Sequence, residues 1–188
     1  MKHRCAWACG LFLMLHGVAH AEWPAALQPI AGLEVSRYLG RWYEIAKFPN
    51  IFQRTCAADT SANYSLTPQG HLQVLNQCRT ASGETVQAVG LAKQLGDERS
   101  PKLKVRFAPE WLSFLPFVWG DYWVIELDPQ YQWAAVSEPG RAYLWILSRQ
   151  PTMDDTVYDA LLTRLRNQGL EVSKLEKSPQ TGFTRSSP

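Results

Sequence analysis

The sequence predicts an all-β protein: an eight-stranded up-and-down antiparallel β-barrel with one C-terminal α-helix packed outside it and a short final strand. From residue 42 onward, short β-prone runs alternate with Gly- and Pro-containing turns, which is typical of all-β domains. The chain is also rich in aromatic residues, including eight tryptophans, and aromatic rings suit the interior of a barrel. Closure of the eight strands removes exposed sheet edges.

Eight strands can be placed by alternation and by the turns between them. The clearest covers 102–107, where Leu103, Val105 and Phe107 share one face and basic residues occupy the other. Gly90 is expected to mark a bend in the barrel wall. The predicted strands span 42–48, 58–67, 71–80, 85–93, 102–107, 119–127, 132–137 and 142–148.

After the eighth predicted strand, the spacing of apolar residues changes from alternation to the spacing of a helix. Thr152 and Asp155 resemble a helix capping box, and an apolar stripe at helical spacing follows, formed by Val157, Leu161 and Leu165. Gly169 is a natural helix stop. Residues 170–175 are predicted to form the final short strand.

The first 21 residues are predicted to be a removable signal peptide. Lys2 and Arg4 precede a short apolar run, and the segment 19–21 (Ala-His-Ala) matches a cleavage site. Glu22 stands where a lipoprotein needs cysteine, so no lipid anchor is expected. We therefore predict an exported, periplasmic protein, with association with the outer membrane left open. The rest divides into an extended lead-in (22–37), a barrel domain (38–177) and a disordered tail (178–188).

Charge and composition exclude several classes of function. Removal of Lys2 and Arg4 with the signal peptide leaves 17 basic residues against 17 acidic ones, so there is no basic footprint for nucleic acid. The same removal leaves His71 as the one histidine and Cys56 and Cys78 as the two cysteines. This set does not readily furnish a zinc site, and no cofactor is expected.

Three motifs resemble those of the lipocalin family, in order and spacing, across roughly 38–175. Residues 38–46, YLGRWYEIA, resemble the Gly-x-Trp signature at the start of the first strand, extended by Phe-Pro at 48–49 and Phe-Gln at 52–53. Asp128 is the part of the second motif that is retained, and 143–149 look like the third motif, which ends in Arg149. The amino-acid sequence of these motifs most resembles that of bacterial lipocalins of the outer-membrane type, which are similar to apolipoprotein D.

Elementary chemistry assigns these motif residues structural roles. Gly40 lets the backbone cross close beneath the barrel, Trp42 plugs the narrow end, and Arg149 lies over its indole face. Such a partly desolvated Arg–Trp contact contributes roughly 1–2 kcal/mol. The alternative is that Trp42 or Arg149 contacts ligand.

Cys56 and Cys78 lie on strands that pair through the turn at 67–70, and one β-bulge would align them. In an exported protein with two mature cysteines, a disulfide is the expected state. The alternative is a catalytic thiol, as in the lipocalin-type prostaglandin synthase, but a paired sulfur is not a nucleophile.

The candidate binding site is the barrel interior with its mouth at the end opposite Trp42. Segments 48–52 and 108–118 project from this mouth, and the second is too apolar for an ordinary solvated loop. It is predicted to be a portal for lipid; a hydrophobic plug and a dimer seam remain alternatives. Trp123 and Ile125 are assigned inward because Glu126 should prefer the outside. The predicted ligand-binding residues are Phe48, Phe52, Tyr64, Leu66, Leu103, Val105, Phe107, Trp111, Phe114, Phe117, Trp119, Trp123 and Ile125.

These features predict a non-enzymatic protein that binds a fatty acid or a lysophospholipid by partition of the acyl chain into a dry cavity. Alternation shows no inward-pointing cation, so no head-group partner is named. The resemblance implies lipid transport or storage in membrane maintenance. Peripheral contact with a membrane and a homodimer are left open as further partners. Two rivals remain: a lipocalin-like enzyme acting on a lipid, and an interaction protein whose barrel is filled by its own side chains.

Overall fold

The computed structural model of the protein describes residues 25–109 and 112–182. Its strands form one antiparallel sheet that closes because β1 pairs with both β8 and β2. The eight predicted strands and the barrel are thereby confirmed, and a ninth strand extends the edge of β1 outside the closed barrel. The strands are β1 (Gly40–Lys47), β2 (Cys56–Leu66), β3 (Leu72–Thr80), β4 (Thr85–Gln94), β5 (Lys102–Arg106), β6 (Gly120–Leu127), β7 (Trp133–Ser137), β8 (Leu144–Ser148) and β9 (Glu176–Lys177).

The C-terminal helix, α2 (Asp155–Asn167), packs on the outside of the sheet. Its N-cap is Asp154, whose side chain accepts from the amides of Thr156 and Val157, so the capping box predicted from Thr152 and Asp155 is wrong. The helix ends before Gly169, which has a φ of +80°. The predicted strand over 170–175 is also wrong: a 3-10 turn (Val172–Lys174) occupies that segment, and the final strand, β9, follows it.

The two flanking segments carry more structure than the sequence predicts. Within the lead-in, predicted as extended, a short helix α1 (Val35–Tyr38) precedes β1. The tail, predicted to be disordered from residue 178, is ordered through Gly182. It fills the seam where β1 and β2 separate, since the Ser178 amide donates to Ile45 O and Pro179 O accepts from the Asp59 amide. The predicted signal peptide and residues 183–188 lie outside the described residues.

The disulfide between Cys56 and Cys78 is confirmed, with the two Cα atoms 5.5 Å apart. It joins β2 to β3, and the β2–β3 register is interrupted by an irregularity between Cys56 and Ala58. This irregularity in the pairing of the two strands agrees with the β-bulge that was expected to align the cysteines.

Two hydrophobic clusters lie on opposite faces of the sheet. The inner cluster fills the half of the barrel around Trp42, which we call the closed end; its buried members are Leu33, Tyr38, Trp42, Ala62, Tyr64, Leu72, Val74, Ala92, Leu103, Val124, Tyr131, Ala134, Val136 and Leu147. The outer layer packs between the sheet and α2; its buried members are Leu27, Ile45, Ala46, Phe48, Ile125, Ala135, Leu144, Ile146, Tyr158, Leu161, Leu165 and Leu170. Among the described residues, no helix is long and apolar enough to cross a membrane.

Candidate functional site

The floor of the barrel interior is a locked plug built on Trp42. The indole is fully buried, its N–H donates to Tyr38 O at 2.8 Å, and its ring packs against that of Tyr38 with centroids 4.7 Å apart. Gly40 has a φ of +93°, and a Cβ there would lie 3.4 Å from the Arg149 guanidinium. Glycine therefore suits both the backbone conformation and the close approach of Arg149.

Asp128, the residue retained from the second motif, orders a loop at the closed end. The Asp128 carboxylate accepts from the backbone amides of Gln130 and Gln132, which holds the connection between β6 and β7. Like Gly40 and Trp42, Asp128 supports the closed end and contributes no side chain to the mouth.

The half of the barrel away from Trp42, which we call the open half, has inward apolar side chains that remain exposed. The register pairs Val86 and Ala88 of β4 with Cys78 and Asn76 of β3, on the same face as Val74 of the inner cluster. Although both β4 residues point inward, Val86 is 39% exposed and Ala88 is exposed. Phe107, which also faces inward, is 47% exposed. Such exposure of inward apolar side chains favours a hollow in this half.

The mouth of the open half carries an aromatic group. Asn50 accepts from the amides of Phe52 and Gln53 and so caps the 3-10 turn Ile51–Gln53. This turn brings Phe52 to 5.7 Å from Tyr143, and Tyr143 stacks on Trp145 at 5.7 Å and 12°. The neighbouring rim residues Phe114 and Phe117 are 75% and 80% exposed. The mouth is therefore rimmed by solvent-facing aromatic rings.

A buried polar network lies beside this aromatic group. The Glu44 carboxylate accepts from Ser178 at 2.5 Å and from the Gln53 amide at 2.6 Å, and the Gln53 oxygen accepts from the Trp145 indole N–H at 3.0 Å. Burial raises the pKa of Glu44, and the hydrogen bonds and the charge of Lys47 only partly offset this effect.

Lys47 corrects the expectation that no cation points inward. An irregularity between Glu44 and Ala46 shifts the register, so that Lys47 pairs with Trp145, which packs against the inner cluster. Its ammonium lies 3.0 Å from Glu176 of β9. Strict alternation, which assumes no bulge, does not predict the inward orientation of Lys47.

The floor also contains three tyrosines whose hydroxyls meet. Tyr122 of β6 hydrogen bonds to Tyr38 at 2.9 Å and to Tyr64 at 2.7 Å. Burial raises the pKa of all three, to about 12 for Tyr64. They are therefore neutral at physiological pH. Tyr64 is among the predicted ligand-binding residues, whereas Tyr122 is not, because alternation predicts the wrong inward face for β6.

Trp123 and Ile125 do not face the interior, which corrects that assignment. The register shifts between Val124 and Glu126, so Val124 is in the inner cluster whereas Ile125 lies in the outer layer and Glu126 meets Arg164 of α2. The bulge places Ile125 and Glu126 on the same side of the sheet, which breaks the alternation on which the prediction relied. Trp123 also packs against the outer layer, 4.5 Å from the Lys102 ammonium.

Three further predicted cavity residues lie elsewhere. Trp119 is on the outer face, where Lys93 and Arg106 lie 4.3 and 5.2 Å from its ring. Phe48 is buried in the outer layer. Leu66 is 53% exposed beside the turn after β2, at the closed end.

The remaining predicted residues occupy three places. Tyr64 and Leu103 belong to the packed floor. Val105 packs against this floor, Phe107 lines the open half, and Phe52, Phe114 and Phe117 lie at its rim. Trp111 lies outside the described residues. Within residues 25–109 and 112–182, no cluster of three or more His, Cys, Asp or Glu side chains is arranged to hold a metal ion.

Comparisons with known proteins agree with this architecture. The model of the lipocalin-like domain family matches residues 33–180. The chain is 44% identical to temperature-induced lipocalin-1 of Arabidopsis thaliana over 158 residues, which cover 82% of this chain and 83% of that one. It is 39% identical to the outer membrane lipoprotein Blc of Citrobacter freundii over 160 residues, 85% and 86% of the two chains.

More distant proteins share the fold. Mouse apolipoprotein D is 31% identical over 154 residues, 78% of this chain and 77% of that one. The crystal structure of the cockroach allergen Per a 4 superimposes with a TM-score of 0.63 at 18% identity, over 79% of this chain and 89% of that one. The closed barrel, the plugged floor and these matches together show that the chain belongs to the lipocalin family.

Proposed function

We propose that this protein is an exported, non-enzymatic carrier that holds a single acyl chain, of a fatty acid or a lysophospholipid, in the open half of the barrel. One observation carries the proposal: Val86, Ala88 and Phe107 lie on the inward face of the sheet in the open half and are nevertheless exposed. An acyl chain entering the hollow would cover this apolar surface and remove its own from water.

The energy of such binding is modest. Burial of ten methylenes contributes about 8 kcal/mol, of which association and ordering consume at least about 4 kcal/mol. The expected affinity is therefore weak to micromolar unless a polar contact is added. Such reversible binding suits storage or transport in membrane lipid maintenance.

The surroundings of the mouth support the location we propose. Phe114 and Phe117 extend from the rim into solvent and are suited to touch a lipid surface while cargo is exchanged. The similarity to a protein named as an outer membrane lipoprotein supports export to the periplasm and work at the outer membrane. A homodimer through the same rim is the alternative, which sedimentation at two protein concentrations would detect.

The test is displacement of a fluorescent fatty acid, with one substitution that fills the hollow. Ala88→Trp places an indole in the open half and should weaken binding at least tenfold. The adjacent Val89 faces the outside of the same strand and is 56% exposed, so Val89→Trp is the matched control and should bind as wild type does. Wild-type protein without saturable displacement would contradict the carrier and favour a filled barrel.

The absence of turnover is tested on the same complex. Lipid recovered after prolonged incubation should have an unchanged mass. A modified lipid, formed in proportion to protein concentration, would contradict the carrier and indicate an enzyme that transforms lipid.

A further inference from the structure

The tyrosine cluster at the floor has one proton more than its internal hydrogen bonds use. Tyr38, Tyr64 and Tyr122 carry three hydroxyl protons when neutral, and Tyr122 forms one hydrogen bond with each of the other two. Two bonds use two protons. The third hydroxyl is therefore able to donate to an acceptor outside the cluster.

The central tyrosine is the best placed to make that donation. If Tyr38 and Tyr64 both donate to the Tyr122 oxygen, the Tyr122 proton is the one left over. Tyr38 and Tyr64 are buried, whereas Tyr122 is only partly buried. Tyr122 is therefore the cluster member that borders the hollow, with its hydroxyl group buried between those of Tyr38 and Tyr64.

A glycine leaves space directly above Tyr122. On β6, the next inward position toward the mouth is Gly120, which is exposed and where an added Cβ would meet only Val105 O, at 3.8 Å. On β2, the position above Tyr64 is Ala62, which is buried opposite Trp42. The open half therefore reaches the cluster on the Tyr122 side.

The charges at the two ends of the cavity differ in what they offer a ligand. At the mouth, the Lys47 ammonium is paired with Glu176 at 3.0 Å and lies near the buried Glu44 carboxyl. One cation beside two carboxyl groups gives no net attraction for an anionic head group.

The floor offers a hydrogen-bond donor without a free cation. Arg149 stacks on Trp42 at 3.9 Å and donates to the carbonyls of Arg37, Arg41 and Tyr131. Its guanidinium is therefore engaged with the plug. A neutral oxygen is accepted at such a floor at far lower cost than a charged carboxylate.

We propose that the ligand binds head first: the uncharged oxygen of a protonated fatty acid or a fatty alcohol hydrogen bonds to the tyrosine cluster, and the alkyl chain extends toward the aromatic mouth. This inference rests on the proposed function and narrows it. A protonated carboxyl both accepts from the spare hydroxyl and donates to a tyrosine oxygen. A lysophospholipid, whose charged head group would have to cross the apolar hollow, is disfavoured.

The first test reads the ionisation of the bound head group directly. Dodecanoic acid labelled with ¹³C at the carboxyl is bound to wild-type protein, and the carboxyl resonance is followed from pH 4 to 8. We expect the bound acid to keep its protonated chemical shift at pH values where the free acid, with an ordinary pKa of about 4–5, is ionised. A bound resonance that titrates as the free acid does would overturn head-first binding while leaving the carrier intact. The absence of any saturable bound resonance would instead contradict the proposed function.

The second test removes all three hydroxyl groups, because Tyr122→Phe alone would release the Tyr38 and Tyr64 protons to donate to a ligand. The triple variant Tyr38→Phe/Tyr64→Phe/Tyr122→Phe should weaken binding of dodecan-1-ol about 2- to 10-fold, the effect of one net hydrogen bond. Tyr158→Phe is the matched control, because Tyr158 belongs to α2 and is buried in the outer layer, and should bind as wild type does. Dodecan-1-ol binding by the triple variant at wild-type affinity would also overturn the inference.

Discussion

The Arg149 guanidinium lies over Trp42 at the closed end of the barrel, with its central carbon 3.9 Å from the centroid of the indole ring. The same group donates to Arg41 O at 2.9 Å, to Arg37 O at 2.8 Å and to Tyr131 O at 3.2 Å. One side chain from the end of β8 therefore holds α1, the start of β1 and the β6–β7 loop together. The stacked cation and its three carbonyl partners make the floor a stability element.

Removal of this group should lower stability without changing binding. We expect Arg149→Ala to reduce the free energy of unfolding by about 2–4 kcal/mol, because it removes a partly desolvated cation–π contact and leaves carbonyls without their donor. The melting temperature and the ligand dissociation constant, measured on the same samples, check this; the constant should stay within a few-fold of wild type. A selective loss of binding at unchanged melting temperature would reassign Arg149 to the ligand site.

Local patterns sufficed for the barrel and its plug. Strict alternation in β5 separates Leu103, Val105 and Phe107 from the basic residues, and the structure has the same division in register. The Gly-x-Trp pattern with a distant arginine likewise identified Trp42 and Arg149. Each of these predictions uses either neighbouring residues or a motif of fixed residue types.

The cavity wall was less predictable because bulges change the inward face within a strand. The irregularity before Glu126 moved Trp123 and Ile125 outside, and the one after Glu44 brought Lys47 inside. A bulge depends on the pairing of distant strands and carries no signal in the local pattern. The convergence of Tyr122 on tyrosines 84 and 58 positions away is hidden for the same reason.

Reduction of the disulfide should destabilise the fold. The Cys56–Cys78 bond closes a loop with a sequence separation of 22, so the Cys56→Ser/Cys78→Ser double variant should lose about 3 kcal/mol in the chain-entropy model. Chemical denaturation of the variant and of wild type, each with and without reductant, measures the difference. Reductant should affect wild type alone, and two free thiols in native wild-type protein would refute the bond.

The ordered tail should make stability depend on acid pH through Asp59. Burial alone would raise the pKa of this carboxyl, but hydrogen bonds from Arg79, Thr181 and Gly182 lower it to about 2. A depressed pKa in the folded state contributes stability above the ordinary value of 3.8, and this contribution is lost as the pH falls toward 2.

Asp59→Asn isolates this effect, since asparagine tolerates the φ of 57° at this position. We expect the variant to be about 1 kcal/mol less stable at neutral pH, a figure discounted for solvent screening, and to converge with wild type between pH 4 and pH 2. Urea unfolding at several pH values measures the gap. A gap that is constant over this range would show that Asp59 does not anchor the tail through its charge.

Glu44 should produce a pH dependence of the opposite sign. Burial raises its pKa above the ordinary value of 4.5 despite the hydrogen bonds from Ser178 and Gln53. The folded protein therefore holds the proton more tightly than the unfolded chain, and the stability from this group is present below pH 4.5 and is lost as the pH rises through the folded-state pKa.

Glu44→Gln removes the ionisation, so its unfolding free energy relative to wild type should increase with pH above 4.5. Urea unfolding of both proteins from pH 4 to pH 8 checks the trend. If the difference in unfolding free energy between Glu44→Gln and wild type stays constant across this range, ionisation of the buried Glu44 carboxyl does not control the pH dependence of stability.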